Sequence, residues 1–552
     1  MNFLKKDLVF LPLGGSEQIG MNANLYHYNN KWILVDLGIS FPDETQLGVD
    51  VLLPDFDFVK KIKNNLLGIF LTHAHEDHFG AIPYFASEIN CPIWGTEFTL
   101  ALLRRKLKES NVQFSFKLNV IPKKNNICLG DFEIQTVRVP HSIPHAVSFF
   151  IKTKSENIFH TGDWKFESSE NLKEKSHINV LKNISKAGVT SIVSDSTNAL
   201  VEGRTPSEYM AYKGLMEVIN KKTGCVFITC FSSNISRIKS LITIAGEVNR
   251  KICILGRALN RAVDAAIETG LLPKDFESLK IKNLKNVDRK KLLVICAGSQ
   301  GEVNSALSKI SLGKNENVFL KNGDTVIFSS RKIPGNESAI LKIEERIIEH
   351  GVEIINEENE DVHVSGHPSK EEIIEIYNVL KPKSVIPVHG NRKQLEGNAK
   401  LANKCQINKV FIPKNGDVIK VTKSSIELLD KVEIDTKVYD GGSVVSLKDE
   451  RFVARKHALW NGIISVSIVI NEQGEMLSVP KLTQQGISDS KKMGNLLLEI
   501  SLQIEDLVER LRTFKTIEDH YLENEIKKVI VKEIKKSFFV RPLTNIHINR
   551  LQ

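Results

Sequence analysis

The chain has 552 residues, too many for one ordinary hydrophobic core, so two or three domains are expected. With 41% hydrophobic residues and no low-complexity tract it is not a disordered chain. Lys and Arg outnumber Asp and Glu by 75 to 66, a formal charge of +9 that is compatible with a polyanionic partner without requiring one.

The opening places Lys5 and Lys6 before a short apolar run that Pro12, Gly14 and Gly15 interrupt. That run is too short for a signal segment, and no later stretch has the length of a membrane span. The seven cysteines, Cys91, Cys128, Cys225, Cys230, Cys253, Cys296 and Cys405, are odd in number and form no C-x-x-C pair. They read as buried thiols in a reducing compartment, so a cytoplasmic protein with no membrane partner is expected.

Up to about Asp195, short apolar runs end in Gly, Ser, His or Asp clusters. Ile69 to Leu71 runs into Thr72-His73, Phe132 to Val139 into Pro140-His141, Asn157 to Phe159 into His160-Thr161-Gly162-Asp163, and Thr190 to Val193 into Ser194-Asp195. Polar clusters at strand ends are where loops held by a sheet carry chemistry. From about Pro206 to Asn359 the rhythm is strand, Gly/Ser loop, helix, repeated, which predicts a parallel α/β unit. A further strand, helix and strand are expected from Asp361 to Val388, ending at His389-Gly390. After about Lys431 come the pair Gly441-Gly442, an alternating strand from Ile463 to Ile470, a charged helix from Asp489 to Thr513 and a lysine-rich helix from Glu525 to Lys536. These predict a small α+β domain whose charged helices are either a solvated face or an oligomer contact.

The strongest chemical signal is His73-Ala74-His75-Glu76-Asp77-His78. His73 and His75 lie two apart after an apolar strand, so an extended or tightly turned backbone aims both imidazoles at one ion. Asp77 and His78 follow at once and can face a second ion beside it. Imidazole and carboxylate are borderline ligands suited to Zn²⁺ or Mn²⁺. A chance polar loop is hard to credit, because so many ionisable groups are costly at a buried strand end. Two metals need further ligands downstream. His141 and Asp163 stand at strand ends, Gly162 permits a close turn beside Asp163, and one carboxylate can span two cations. Taken alone, either would as readily cap a turn. The last candidate, His389, follows Ser384 to Val388, so the intervening α/β unit reads as an insertion into the metal-binding domain.

This order of ligands is similar to that of the metallo-β-lactamase superfamily. The insertion, His363-Val364-Ser365-Gly366-His367 and Pro387-Val388-His389-Gly390 resemble its nucleic-acid-processing β-CASP branch, and within that branch the ribonuclease J family. The likeness covers nearly the whole chain. It includes Gly14-Gly15-Ser16-Glu17-Gln18-Ile19-Gly20, Phe231-Ser232-Ser233-Asn234, Gly298-Ser299-Gln300-Gly301-Glu302 and Ile333-Pro334-Gly335-Asn336-Glu337.

The resemblance implies an α/β fold, an αββα sandwich over residues 1–205 and 360–432. A β-CASP domain is inserted at 206–359, and a C-terminal α+β domain, a candidate for oligomerisation, spans 433–552. It implies one metal on His73, His75 and His141, another on Asp77, His78 and His389, and Asp163 shared between them. It also suggests a structural Ca²⁺ between Gly48-Val49-Asp50 and Asp449, where Asp50 would equally cap a turn. Two departures stand out: His145 replaces an aspartate usual after His-Ser-Ile-Pro, and Asn391 replaces a glutamate usual after the last motif's glycine. A lone neighbouring histidine is more often a hydrogen-bonding loop residue than an extra ligand.

Two cations about 3.5 to 4 Å apart can activate a water and clamp phosphate oxygens. His367 is the candidate proton donor to the leaving oxygen, with Asp195 as its orienting partner. Asp36, after Trp32 to Val35, is expected to orient a ligand histidine. The resemblance implies a ribonuclease with 5′-to-3′ exonuclease and endonuclease action. Its pocket for a 5′-monophosphate RNA end would be built from His363, Val364, Ser365, Gly366, His367 and Ser233, in a homodimer or homotetramer, or with a paralogue. Competing readings are a DNA-directed nuclease of the same branch, a non-catalytic subunit of an RNA-decay assembly, and a hydrolase of small thioesters or lactams. The inserted unit argues against the last of these.

Overall fold

The computed structural model describes residues 6–42, 46, 48–123, 126–167, 172–315, 317–333, 335–512 and 518–551. Lys5, Pro334 and Thr513, named above, lie outside them. The chain forms two compact units, one of residues 1–41 with 51–444 and one of residues 42–50 with 445–552.

In the first unit two sheets face one another. The larger has the order Ile426–Lys431, Asp417–Val421, Val9–Gly14, Ala23–Tyr28, Lys31–Val35, Leu66–Phe70, Ile93–Gly95, Leu118–Val120. The smaller runs Ser384–Val388, Ser191–Asp195, Asn157–His160, Val147–Lys152, Phe132–Arg138, Ile127–Leu129. Side chains alternate across a strand, and here both faces are covered. Leu8 and Phe10 join the core between the sheets, with Phe70, Phe149, Ile158, Val193 and Ile386, while Val9, Leu11 and Leu13 point outward into a second core. Helix Glu97–Glu109 contributes Phe98 and Leu103 to that outer core. On the far side, helix Lys370–Leu380 packs Ile373, Ile376 and Tyr377 against Phe159 and Ile192. The layers are therefore helix, sheet, sheet, helix.

Between Asp195 and Ser384 the chain builds a separate parallel sheet, ordered Lys251–Leu255, Leu292–Cys296, Val226–Thr229, Thr325–Phe328, Glu353–Ile355. It then returns beside the strand it left, with Ser191 paired to Ser384 and Asp195 to Val388 in parallel register. The strand expected from Asp361 does not form. Val362 instead gives its carbonyl oxygen to Arg237 Nη1 at 2.9 Å and Ser329 Oγ at 2.7 Å, so side chains take the place of a neighbouring strand. Five cysteines are buried, but Cys128 is exposed on a sheet-edge strand and Cys405 is half-buried, which corrects the reading of all seven as buried.

In the second unit the strand Ile463–Asn471 lies between Met476–Gln485, antiparallel, and Leu543–Leu551, parallel. Its strict alternation turns Ile464, Val466, Ile468 and Ile470 to helices Lys491–Leu511 and Asp519–Phe538. Among the described residues no helix is long and apolar enough to cross a membrane. Phe149 is fully buried between the two sheets of the first unit. Phe149→Ala is expected to cost about 3 to 5 kcal/mol, read as a fall in the denaturant midpoint of that unit's unfolding transition.

Candidate metal centre

Strand direction explains how distant residues meet. Lys31–Val35 and Leu66–Phe70 are parallel neighbours, so Asp36 and the segment Thr72 to His78 leave the larger sheet at the same end. Asn157–His160, Ser191–Asp195 and Ser384–Val388 are parallel neighbours too, which brings Asp163, Asp195 and His389 to one edge of the smaller sheet. Phe132–Arg138 points the same way through two antiparallel steps and delivers His141. Carboxyl ends of parallel strands are where α/β sheets collect ligands. Asp36 and His389 hold left-handed backbones, at φ 64° and 54°, a conformation uncommon for residues other than glycine.

At the centre lies Asp163 Oδ2. His78 Nε2 is 3.2 Å from it, and the Nε2 atoms of His73, His141 and His389 each lie at 3.6 Å. His75 Nδ1 stands 3.0 Å from His73 Nε2 and 3.1 Å from His141 Nε2. On the other side Asp77 Oδ2 is 3.5 Å from His78 Nε2 and 3.7 Å from His389 Nε2. Donors about 2.0 to 2.1 Å from a tetrahedral ion stand roughly 3.4 Å apart. Both sets, His73-His75-His141-Asp163 and Asp77-His78-His389-Asp163, therefore have the spacing of a ligand shell, and they share one carboxylate. Asp163 Oδ1 is buried with no hydrogen-bond partner, a costly state that a cation would relieve.

The surrounding bonds choose tautomers. His141 Nδ1 donates to the Gly366 carbonyl at 2.7 Å, which leaves Nε2 free to bind. Thr72 Oγ1 donates to Asp36 Oδ2 at 2.8 Å and so can accept from His73 Nδ1 at 3.0 Å. His78 Nδ1 donates to Asp36 Oδ2 at 2.8 Å. Burial first, then histidine neighbours, holds His73 well below the usual imidazole range. Burial also lowers His141 well below that range and His75 to about 4. These three rings are neutral at pH 7, as ligands must be. His78 goes the other way: burial would lower it, but Asp163, Asp77 and Asp36 outweigh burial and hold it well above the ordinary value. Asp163 stays ionised because His389, His78 and His367 outweigh the burial that would raise it.

His367 and Asp195 adjoin this centre. His367 Nδ1 lies 2.8 Å from Asp195 Oδ2, its Nε2 reaches to 4.0 Å of Asp163 Oδ2, and Asp195 Oδ1 accepts from Thr197 N at 2.9 Å. Burial would depress the imidazole, yet Asp195 and then Asp163 raise it to about 9.

Four family models match the chain: "Metallo-beta-lactamase superfamily" over residues 20–201, "Ribonuclease J, beta-CASP domain" over 223–347, "Zn-dependent metallo-hydrolase RNA specificity domain" over 335–413 and "Ribonuclease J C-terminal domain" over 453–551. A ribonuclease J of Sinorhizobium meliloti is 35% identical over 497 residues, covering 89% of this chain and 88% of that protein. The chain belongs to the ribonuclease J family. Ribonuclease J2 of Bacillus subtilis is 30% identical, with 90% of each chain covered, and a ribonuclease J of Helicobacter pylori is 30% identical over 96% of this chain and 78% of that one. A crystal structure of a protein of unknown function from Enterococcus faecalis shares the fold at 16% identity, with a TM-score of 0.53 over 75% of this chain and 100% of that one. Membership of the ribonuclease J family makes the chain a metal-dependent ribonuclease, a hydrolase.

The departures from the ribonuclease J family pattern have local explanations. His145 is absent from the converging donor groups, and burial, then Arg138, lowers it to about 4. Asn391 caps helix Arg392–Lys404: its side chain accepts from Gln394 N at 3.1 Å and Gln394 Oε1 accepts from Asn391 N at 2.8 Å. Other expected residues lie elsewhere. Val364 is buried, and His363 keeps Nδ1 buried without a hydrogen-bond partner, its ring lowered to about 3 by burial and then Arg237. Ser233 sits in the turn before helix Ile235–Glu247. In the second unit Asp449 caps helix Glu450–Asn461 and meets Arg451 Nε at 2.9 Å, and Arg455 reaches the Gly48 carbonyl at 3.5 Å. Among the described residues no convergent donor group contains Asp50 or Asp449.

Sequence reasoning passed over Asn22. Its carboxamide lies 3.1 Å from His78 Nε2, 2.9 Å from His389 Nδ1 and 3.2 Å from the Asp77 carbonyl oxygen. It also passed over Glu372, whose buried carboxylate accepts from Phe166 N at 2.7 Å and from Thr205 N and Ser369 N at 2.9 Å each. Those amides follow Asp163, Asp195 and His367 in the chain, so one side chain ties their three loops. An S-x-x-E capping box at Ser369 was the available signal for it.

Gly366 has no room for a side chain, since a Cβ there would stand 2.7 Å from His141 Nδ1. Gly366→Ala is expected to weaken binding at the His141 set by about 10- to 100-fold in competition with a chelating indicator, with the circular dichroism spectrum unchanged. Calorimetry in buffers of different ionisation enthalpy should show more proton release at pH 7 on filling the His78 set, whose imidazole the neighbouring carboxylates raise, than on filling the His73 set, whose rings burial lowers.

Proposed function

We propose that this chain degrades single-stranded RNA from a 5′-monophosphate end in the 5′-to-3′ direction, and also cuts internally, with two divalent cations, Zn²⁺ or Mn²⁺. The observation that carries the reading is Asp163 Oδ2, one carboxylate oxygen shared by two donor sets of ligand spacing. His73, His75 and His141 would hold one cation, Asp77, His78 and His389 the other, and Asp163 both. Such a pair lowers the pKa of a water and neutralises phosphate oxygens during in-line displacement. The working division is residues 1–205 with 360–432 for the metal-binding domain, 206–359 for the β-CASP insertion and 433–552 for a C-terminal domain that pairs copies of the chain.

The residues of this chain supply position and a proton. Asp36 and Thr72 fix the rings of His78 and His73, and Gly366 fixes His141. His367 presents Nε2 to the centre while Asp195 holds Nδ1, so the imidazolium can protonate the departing 3′ oxygen and leave 5′-phosphate and 3′-hydroxyl ends. Ser365 Oγ accepts from Asn198 Nδ2 at 2.9 Å and His367 N at 3.2 Å, which directs its own hydrogen to an incoming phosphate oxygen. A lactam or thioester hydrolase would have no use for this second lobe and loop.

Matched RNAs with 5′-monophosphate and 5′-triphosphate ends test the direction. Faster loss of the monophosphate form is expected, and equal rates would remove the end pocket. Matched single-stranded DNA separates ribonuclease from deoxyribonuclease action. His75→Ala should abolish cleavage and keep RNA binding. His367→Ala is expected to lower kcat by about 10²- to 10⁴-fold. Asp195→Asn removes the charge that raises His367, so the alkaline limb of the rate profile should move to lower pH.

A further inference from the structure

Outside the metal centre, the helix Asp519–Phe538 of the C-terminal unit has two unlike faces. Leu522, Ile526, Ile530 and Ile534, four apart, are fully buried. At about 100° per residue, Lys528, Lys532, Lys535 and Lys536 fall on the opposite half and Lys527 at its border, and all are exposed. Glu525 engages Lys528 at 2.6 Å. Lys535 and Lys536 lie in the last turn, where the helix dipole accounts for them. Lys527, Lys528 and Lys532 stand further in, beyond its reach.

Two exposed rings accompany these cations. Tyr521, 53% exposed, falls on the lysine side of the same helix, and Phe539, 89% exposed, ends it. Phe539 adopts the left-handed conformation at φ 60°, where a glycine is the usual residue and a bulky side chain is strained. A ring held in water on a strained backbone contributes nothing to folding.

We propose that this face is an auxiliary binding surface for single-stranded RNA, with lysines along the phosphates and the two rings stacking on bases. An acidic protein would use the cations alone; a strand of unpaired nucleotides uses cations and flat rings together. The proposal rests on RNA as the substrate class and does not depend on which end is cut or on how many metals cut it.

The test measures binding of a long unstructured RNA to the full-length chain against salt concentration, with a chelator present to stop cleavage. The triple variant Lys527→Gln, Lys528→Gln, Lys532→Gln is expected to lower the slope of log K against log salt by about 2, at about 0.7 for each lost phosphate contact on a single strand. Phe539→Gly should weaken binding roughly tenfold without lowering the thermal midpoint, since it removes the strained residue. In the metal-loaded enzyme both variants should lose kcat/KM on the long RNA and keep it on a tetranucleotide. If the unaltered chain binds no RNA, the substrate class itself is wrong. If it binds and both variants match its slope and affinity, this surface serves something other than RNA and the proposal is overturned.

Discussion

The first unit is organised around the electrostatics of one buried carboxylate. Asp163 is almost without solvent, and the ordinary result of such burial would be a protonated acid. The charges of His389, His78 and His367 reverse that outcome. The arrangement is stable only as a set, because an anion with too few partners, or several imidazoles with no anion, would each be an uncompensated buried charge or dipole. The family of this chain is one of metal-dependent hydrolases, and a cluster of this composition is suited to holding metal.

The sandwich supplies what that set requires. Both sheets present carboxyl ends of parallel strands at one edge, where the donor side chains follow within a few residues. The inserted unit leaves and re-enters through adjacent parallel strands, and it contributes to the site through contacts rather than ligands. Arg237, fully buried, bonds the Val362 carbonyl at the entry to the His363–His367 loop, and Arg331 meets Asn198, which in turn holds Ser365. The loop that carries His367 is thus braced from both lobes of the unit.

The C-terminal unit obeys a different economy. Its three-stranded sheet is covered on one face by two long helices, each with a buried stripe recurring every three to four residues. Outer faces are therefore free of packing duties, and charge can be distributed along them by function alone.

The sequence by itself determined the donor types and the local part of the cluster. His73 to His78 fall on one strand end and one short turn, where spacing alone dictates what faces what. The alternation of Ile463 to Ile470 likewise exposed the C-terminal sheet, and the interruption before His389 exposed the insertion. Only the tertiary structure decided which distant residues share an oxygen, because Asp163, Asp195 and His389 meet through parallel strand pairing that leaves no periodic trace in the chain. Asn22 and Glu372 were invisible for the same reason: an amide or a carboxylate is unremarkable in a sequence, and it acquires a role only when folding removes water and surrounds it with particular donors and acceptors. The absent strand at Asp361 shows the limit from the other side, since its local pattern was extended but Arg237 and Ser329, far away in sequence, claimed the hydrogen bonds a strand would have used.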